Sequence, residues 1–125
     1  MIVTSQILYE GIRNLTMQFT GRGEAGENET NVVKVDVSAL TPPCARVRIR
    51  KISYDVAYGI VILSWDGPSP VEFLNLEGQE TFDYCFEGGL QNVVPSSNGD
   101  LLLSTKGFEA NSVYSLKIEM AKKAT

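Results

Sequence analysis

Short runs of alternating polar and apolar residues recur along this chain, each closed by residues that break a β-ladder. Leu15, Met17 and Phe19 alternate with Thr16 and Gln18, and Val33, Val35 and Val37 alternate with Lys34 and Asp36. Near the end, Tyr114, Leu116, Ile118 and Met120 alternate with Ser115, Lys117 and Glu119. Successive side chains of a strand point to opposite faces, so this period of two predicts strands with one buried and one wet face. No stretch holds the spacing of an amphipathic helix long enough to form one. The pattern predicts an all-β protein, an antiparallel β-sandwich or jelly roll of about eight to ten short strands.

Residues 2–8 read as an earlier strand or short edge. Gly21-Arg22-Gly23-Glu24-Ala25-Gly26-Glu27-Asn28-Glu29 then breaks the alternation with three glycines and three acids. It predicts an exposed, mobile, glycine-rich loop over 21–31. Thr41-Pro42-Pro43 ends the next strand, because proline cannot donate to a ladder. Val47 and Ile49 then face one way and Arg46, Arg48 and Arg50 the other. After Lys51 the apolar set changes parity to Ile52, Tyr54 and Val56, which predicts a bulge or a bend between sheets. Residues 58–65 are apolar on both faces, as in a central strand. Asp66-Gly67-Pro68 turns the chain. Residues 71–76, 81–86 and 100–105 are further strand candidates, divided by Glu77-Gly78, Gly88-Gly89 and Ser96-Ser97-Asn98-Gly99. Lys122 and Lys123 read as a solvated tail.

A length of 125 residues fits one domain spanning 1–125, and 43% hydrophobic with 21% charged residues is a globular composition. The net charge of −4 disfavours general binding of nucleic acid, whose phosphates require a cationic footprint. No apolar run approaches the roughly 20 residues that cross a bilayer, so no membrane partner is expected. The opening Met1-Ile2-Val3-Thr4-Ser5-Gln6 has no basic segment or apolar core of a secretory signal, which points to a cytoplasm or release by lysis. In that setting the two cysteines, Cys44 and Cys85, are expected as free, buried thiols, a single bridge being the alternative if their strands pair. Two thiolates without an imidazole do not make a structural zinc site.

Charge is unevenly placed. Arg46, Arg48, Arg50 and Lys51 crowd together, whereas Asp66, Glu72, Glu77, Glu80, Asp83, Glu87 and Asp100 span a tract without lysine or arginine. Two solvated strand faces would read this way. So would a head-to-tail contact in which opposite patches on neighbouring copies set register and orientation.

The chain has no histidine, which removes the commonest general base, the hydrolytic triad and the usual metal ligand together. No enzymatic activity and no cofactor are therefore expected. Glu72, Glu80, Asp83 and Glu87 could in principle supply a glycosidase pair, yet no motif selects two of them over a solvated face. Cys44 has no histidine to activate it. Gly21, Gly23 and Gly26 match the dinucleotide-fingerprint spacing, but acids and another strand follow where a helix is required. Asp66 beside Gly67, and Asp100 after Asn98-Gly99, are loop acids that suit either a hard cation or a tight turn, and the turn is favoured. Tyr54, Tyr58 and Trp65 could form a sugar platform, though strand aromatics more often fill a core. Asn14-Leu15-Thr16 and Asn28-Glu29-Thr30 fit the glycosylation sequon, without a signal that would expose them to it.

Two further stretches carry a resemblance. Ile52-Ser53-Tyr54-Asp55-Val56 with Val61-Ile62-Leu63-Ser64-Trp65-Asp66-Gly67 is one. Gly99-Asp100-Leu101-Leu102-Leu103-Ser104-Thr105-Lys106-Gly107-Phe108 with Ser112-Val113-Tyr114-Ser115-Leu116-Lys117-Ile118-Glu119 is the other. In style, across most of its length, the chain resembles capsid cement or decoration proteins of short-tailed bacteriophages. The resemblance implies a jelly roll docked on the capsid exterior, assembled in the bacterial cytoplasm, that strengthens the expanded shell. It implies the major capsid protein as partner, with self-association as a dimer or trimer. A tail or adaptor component, or a carbohydrate-binding module, is the alternative. Candidate partner-binding residues are Arg46, Arg48 and Arg50, with Arg22, Glu24 and Glu27 in the loop. The N-terminal strand is a second candidate for reaching a neighbouring subunit.

Overall fold

The computed structural model describes residues 1–85 and 88–124. Its strands are β1 (Ile2–Glu10), β2 (Asn14–Arg22), β3 (Val32–Val35), β4 (Arg46–Trp65), β5 (Val71–Asp83), β6 (Leu101–Lys106) and β7 (Val113–Lys123), with one 3-10 turn at Val37–Ala39. All pairings between these strands are antiparallel. They form one curled sheet in the order β1-β2-β7-β4-β6-β3, with β5 also on β4. The protein is all-β, as the alternation predicted.

Seven strands stand among the described residues where eight to ten were expected, because two of them bend where a break was predicted. β4 is 20 residues long. Its first part pairs with β7, from Arg46↔Lys123 to Ala57↔Val113. Its last part pairs with β6, from Ile60↔Lys106 to Trp65↔Leu101. β5 follows it along both parts, with an irregularity between the Val56↔Gly78 and Val61↔Leu76 pairs. Four residues of β4 there oppose Glu77 alone, so β4 bulges and the sheet turns on itself. Tyr58 takes a left-handed φ of 59° in the bend, and its carbonyl accepts a hydrogen bond from Ser112 Oγ at 2.5 Å. Gly59 lies under the Phe108 ring, where a methyl group would overlap it. Glu77-Gly78, which reads as a terminator, is a bend partner within β5, with Gly78 at φ 78°. The parity change near Lys51 is a second irregularity. The β4–β7 register skips Arg50, so Ile49 pairs with Met120 and Lys51 with Glu119.

The bend lets both halves of the sheet share one core. Leu15 and Phe19 of β2, Leu116 and Ile118 of β7, and Val47, Ile49 and Ile52 of β4 are fully buried. They form one cluster with Val61, Leu63, Leu101 and Leu103 from the other half. Burying each such side chain contributes about 1.5–3 kcal/mol. Ile62 and Leu102 are buried on the opposite face, which accounts for the uninterrupted apolar run there.

Of the segment expected as an exposed mobile loop over 21–31, Gly21 and Arg22 belong to β2 and Gly21, Gly23 and Glu29 are buried, while the remainder is irregular and exposed. β2 continues through Arg22, and Gly21 and Gly23 serve close approach. A methyl group at Gly21 would overlap the Tyr114 ring, and one at Gly23 the Glu109 carbonyl. Asn28 accepts from Thr105 Oγ1 at 3.2 Å and from Phe108 N at 3.1 Å, and Glu29 is buried. Arg22, residues 24–28, Thr30 and Asn31 are exposed.

Gly99 combines φ 93° with a position where a methyl group would overlap the Ala45 carbonyl oxygen. Both the conformation and the contact exclude a side chain, and neither can relax without moving backbone. Gly99→Ala should destabilise the protein by about 2 kcal/mol or more in urea unfolding. A change within about 0.5 kcal/mol, the usual range for a neutral surface substitution, would contradict this packing.

Candidate functional site

β1 is an edge strand that pairs only with β2. Its nine residues contain no lysine, arginine or proline, the residues that usually blunt an exposed edge. Ile2, Val3, Ile7, Leu8 and Tyr9 are each 42–59% exposed, and Ile12 in the following turn is 80% exposed. The register puts Val3 opposite Gly21 and Ile7 opposite Met17, so these two continue the core-facing side of the sheet beyond the core. Leu8 is the extra residue of a bulge between Ile7 and Tyr9. The end of the strand is fastened to β7. Lys122 Nζ lies 2.9 Å from Glu10 Oε2 and donates to the Thr41 and Pro42 carbonyls at 3.1 and 3.0 Å. The Lys122 hydrogen bond, reinforced by the Thr41 amide, holds the Glu10 carboxyl below its ordinary pKa. Lys122 is thus a tether, where a solvated tail was expected.

The arginine strip occupies three different environments. Arg46 donates from Nη1 to the Asn92 carbonyl at 2.6 Å. Arg48 is half-buried, its stem packed against Gly89, and its Nε is buried without a hydrogen-bond partner. Arg50 is exposed at the bulge and reaches Asn14 Oδ1 at 3.4 Å. A basin of about 480 Å3 opens beside Arg48 and Arg50. The register explains it. Asn14, Ala121 and Arg48 stand side by side on β2, β7 and β4, and the short Ala121 leaves a floor between two longer neighbours. Arg13 and Lys123 flank this floor, and Gly88, Gly89 and Cys85 close its other side.

Arg22, Glu24 and Glu27 are not brought to this basin. Arg22 pairs with Val113 while Asn14 pairs with Ala121, which puts them at opposite ends of β2, roughly 25 Å apart. Glu24 is exposed, and Glu27 lies 2.7 Å from the Met1 amino group.

The other candidates resolve one by one. Trp65 and Tyr54 are 2% and 7% exposed, and Trp65 stacks on Phe73 with ring centres 4.3 Å apart. Only Tyr58 of the three aromatics is open to solvent, so no sugar platform is assembled. Asp66 and Asp100 do come together, but as turn residues. Asp66 accepts from Gly67 N and Asn98 Nδ2, both at 2.8 Å, and Asp100 accepts from Val37 N at 3.0 Å. Burial, with Asp36 and Asp66 nearby, raises the Asp100 carboxyl above its ordinary pKa. Among the described residues no group of three or more His, Cys, Asp and Glu stands together to hold a metal. Glu72, Glu80 and Asp83 are exposed along β5, while Glu87 lies outside the described residues. Both cysteines are free thiols, but neither is buried as expected. Cys44 is half-buried, and desolvation raises its pKa. Cys85 is exposed in the turn after β5, where its thiol faces the Arg50 carbonyl at 3.7 Å.

A buried ionic group escaped the sequence reading altogether. Glu29 Oε2 lies 2.7 Å from Lys34 Nζ, and Glu29 Oε1 accepts from the Tyr114 hydroxyl at 2.5 Å. Glu29 and Lys34 are only 9% and 8% exposed. No local pattern announces this arrangement, because Tyr114 is 85 positions from Glu29. Protein-family models and curated proteins yield no match to this chain.

Desolvation first, and then Glu29, raise the Tyr114 phenol well above its ordinary pKa. The folded state therefore keeps this proton after an unfolded tyrosine, near pKa 10, has lost it. The stability tied to the phenol is complete below about pH 10 and is lost as pH rises further. Tyr114→Phe removes a hydrogen bond to a charged acceptor and should cost about 1.5–3 kcal/mol at neutral pH. The gap between wild type and variant, measured by urea unfolding, should narrow above about pH 10. A gap that stays constant to pH 11, or widens, would contradict this assignment.

Proposed function

We propose that this chain is a structural virion protein, a decoration or cement protein that docks on the outer surface of a tailed-phage capsid and stabilises the expanded shell. On this reading the curled sheet is a jelly-roll-type sandwich, the major capsid protein is the partner, and no catalysis is involved. The observation that carries it is β1, a nine-residue sheet edge with exposed apolar side chains, no lysine, arginine or proline, and a single bulge at Leu8. A free edge of this kind suits strand addition, in which main-chain hydrogen bonds supply affinity and alternate side chains supply specificity. The Glu10–Lys122 tether keeps the strand in place, so little ordering remains to oppose docking. A lattice multiplies the effect, since even a modest contact repeated around a shell resists its expansion or rupture. Arg22, Glu24 and Glu27 lie toward the Ile2 end of the same edge, where they can set orientation.

Mass spectrometry of purified particles from the encoding source should find a copy number near that of the major capsid protein, or a simple lattice fraction of it. A handful of copies per particle would move the protein to the tail or neck, and absence would remove the virion role. Mixed with undecorated capsids, the Val3→Lys with Ile7→Lys variant should fail to co-sediment. Both positions are exposed, so the variant should keep its fold by circular dichroism. Full binding by the folded variant would exclude β1 as the docking element.

A further inference from the structure

Five cationic residues line the basin at the Asn14–Ala121–Arg48 row: Arg13, Arg48, Arg50, Lys122 and Lys123, of which Lys122 is paired with Glu10. The protein has 15 acids against 11 bases, so counter-ions are plentiful. Yet the ion pairs among the described residues involve Met1 with Glu27, Lys34 with Glu29 and Lys122 with Glu10, and none of the other four basin cations, Arg13, Arg48, Arg50 and Lys123. Asp83 feels Arg50 and Lys51 from the neighbouring strand, but its Oδ1 accepts the Cys85 amide at 2.9 Å and it makes no ion pair with either. Arg48 Nε adds a buried donor without an acceptor. A buried unsatisfied donor costs about 1–3 kcal/mol, and like charges around one concavity repel. An anionic, multidentate acceptor would neutralise the clustered charge.

We propose that this basin binds a compact polyanion, carrying two or more carboxylate or phosphate groups a few ångströms apart. Its volume of about 480 Å3 falls in the range of small-ligand sites, roughly 300–1,000 Å3, and exceeds what a single oxyanion fills. Arginine presents a planar fork that takes an oxyanion through two parallel hydrogen bonds, and three such forks with a lysine favour clustered charge. Among the described residues the rest of the lining is Lys122, Gly88, Gly89, Ala121, Asn14 and Cys85, which offers no aromatic face for a base or sugar ring. Recognition here is of charge and its spacing. The site does not depend on the docking role of β1, and either can fail alone.

Tripolyphosphate and citrate, titrated calorimetrically into the full chain at low ionic strength, supply the two oxyanion chemistries. At least one should bind saturably at one site per chain, weaken as sodium chloride is added, and shift the amide resonances of Gly89 and Ala121. Arg50→Gln with Lys123→Gln should weaken binding about tenfold or more, as loss of two charge-assisted contacts requires. Arg48→Gln should do the same where its folded spectrum is retained, and Lys106→Gln, on β6, should leave binding unchanged. Sedimentation velocity separates the sources of the anion. Association that tripolyphosphate reverses, and that Arg50→Gln with Lys123→Gln abolishes, identifies carboxylates of a second copy. A monomer that still binds the probe identifies a free anion. No saturable binding of either probe, or unchanged affinity in the basin variants, overturns the site.

Discussion

β4 must satisfy neighbours on both flanks while serving two differently directed parts of one sheet, and most of the structure follows from how it does so. Ile52, Tyr54 and Val56 face the core at even positions, and Val61, Leu63 and Trp65 face it at odd ones. In a regular strand these two sets would lie on opposite faces, and one would be left in water. Between Val56 and Val61 four residues oppose one of β5, and the three extra residues absorb the difference in parity and bend the strand in the same step. The bend needs Tyr58 in a left-handed conformation and Gly59 beneath Phe108. Because Tyr58 also holds Ser112 at the entry to β7, the turn before β7 is positioned by the same few residues.

A second constraint closes the other side of the core. Glu29 bonds through its backbone to Thr105, donating at 2.8 Å and accepting at 3.0 Å, while its carboxylate takes Lys34 and Tyr114. This joins the segment after β2 to β3, β6 and β7 at one point. Desolvating a carboxylate and an ammonium is costly, and the pair is tolerable because both oxygens of Glu29 are satisfied. Such a pair specifies where a chain segment lies more than it adds stability.

What was legible in the sequence was local. The alternation at Leu15-Met17-Phe19 and Tyr114-Leu116-Ile118-Met120 named the core face of β2 and β7, because period two is a property of a single strand. The parity change at Lys51 located a bulge that the structure puts at Arg50. Glu77-Gly78 misled for a physical reason. Gly78 marks a left-handed position in either a terminating turn or a continuous strand's bend, and only the partner strand distinguishes them. Gly21 and Gly23 misled likewise, since glycine serves close approach as readily as flexibility. Glu29 was beyond reach because its partners come from β7 and from the start of a strand it does not belong to. The arginines were found as a cluster, but the basin beside them exists because Ala121, on a third strand, is small.

The exposed edge and the basic basin meet at one place. The turn between β1 and β2 carries Ile12, the most exposed large apolar residue among those described, and next to it Arg13, which lines the basin. Glu10 and Lys122 clamp this corner, so the turn cannot swing independently of β7. An edge strand alone is an indiscriminate partner, since any extended chain can supply its missing hydrogen bonds. Fixed cations at its end would penalise partners that do not bring acidic groups to that position. On the proposed docking role, main-chain pairing and charge would divide the work along one continuous surface, the first supplying affinity and the second orientation.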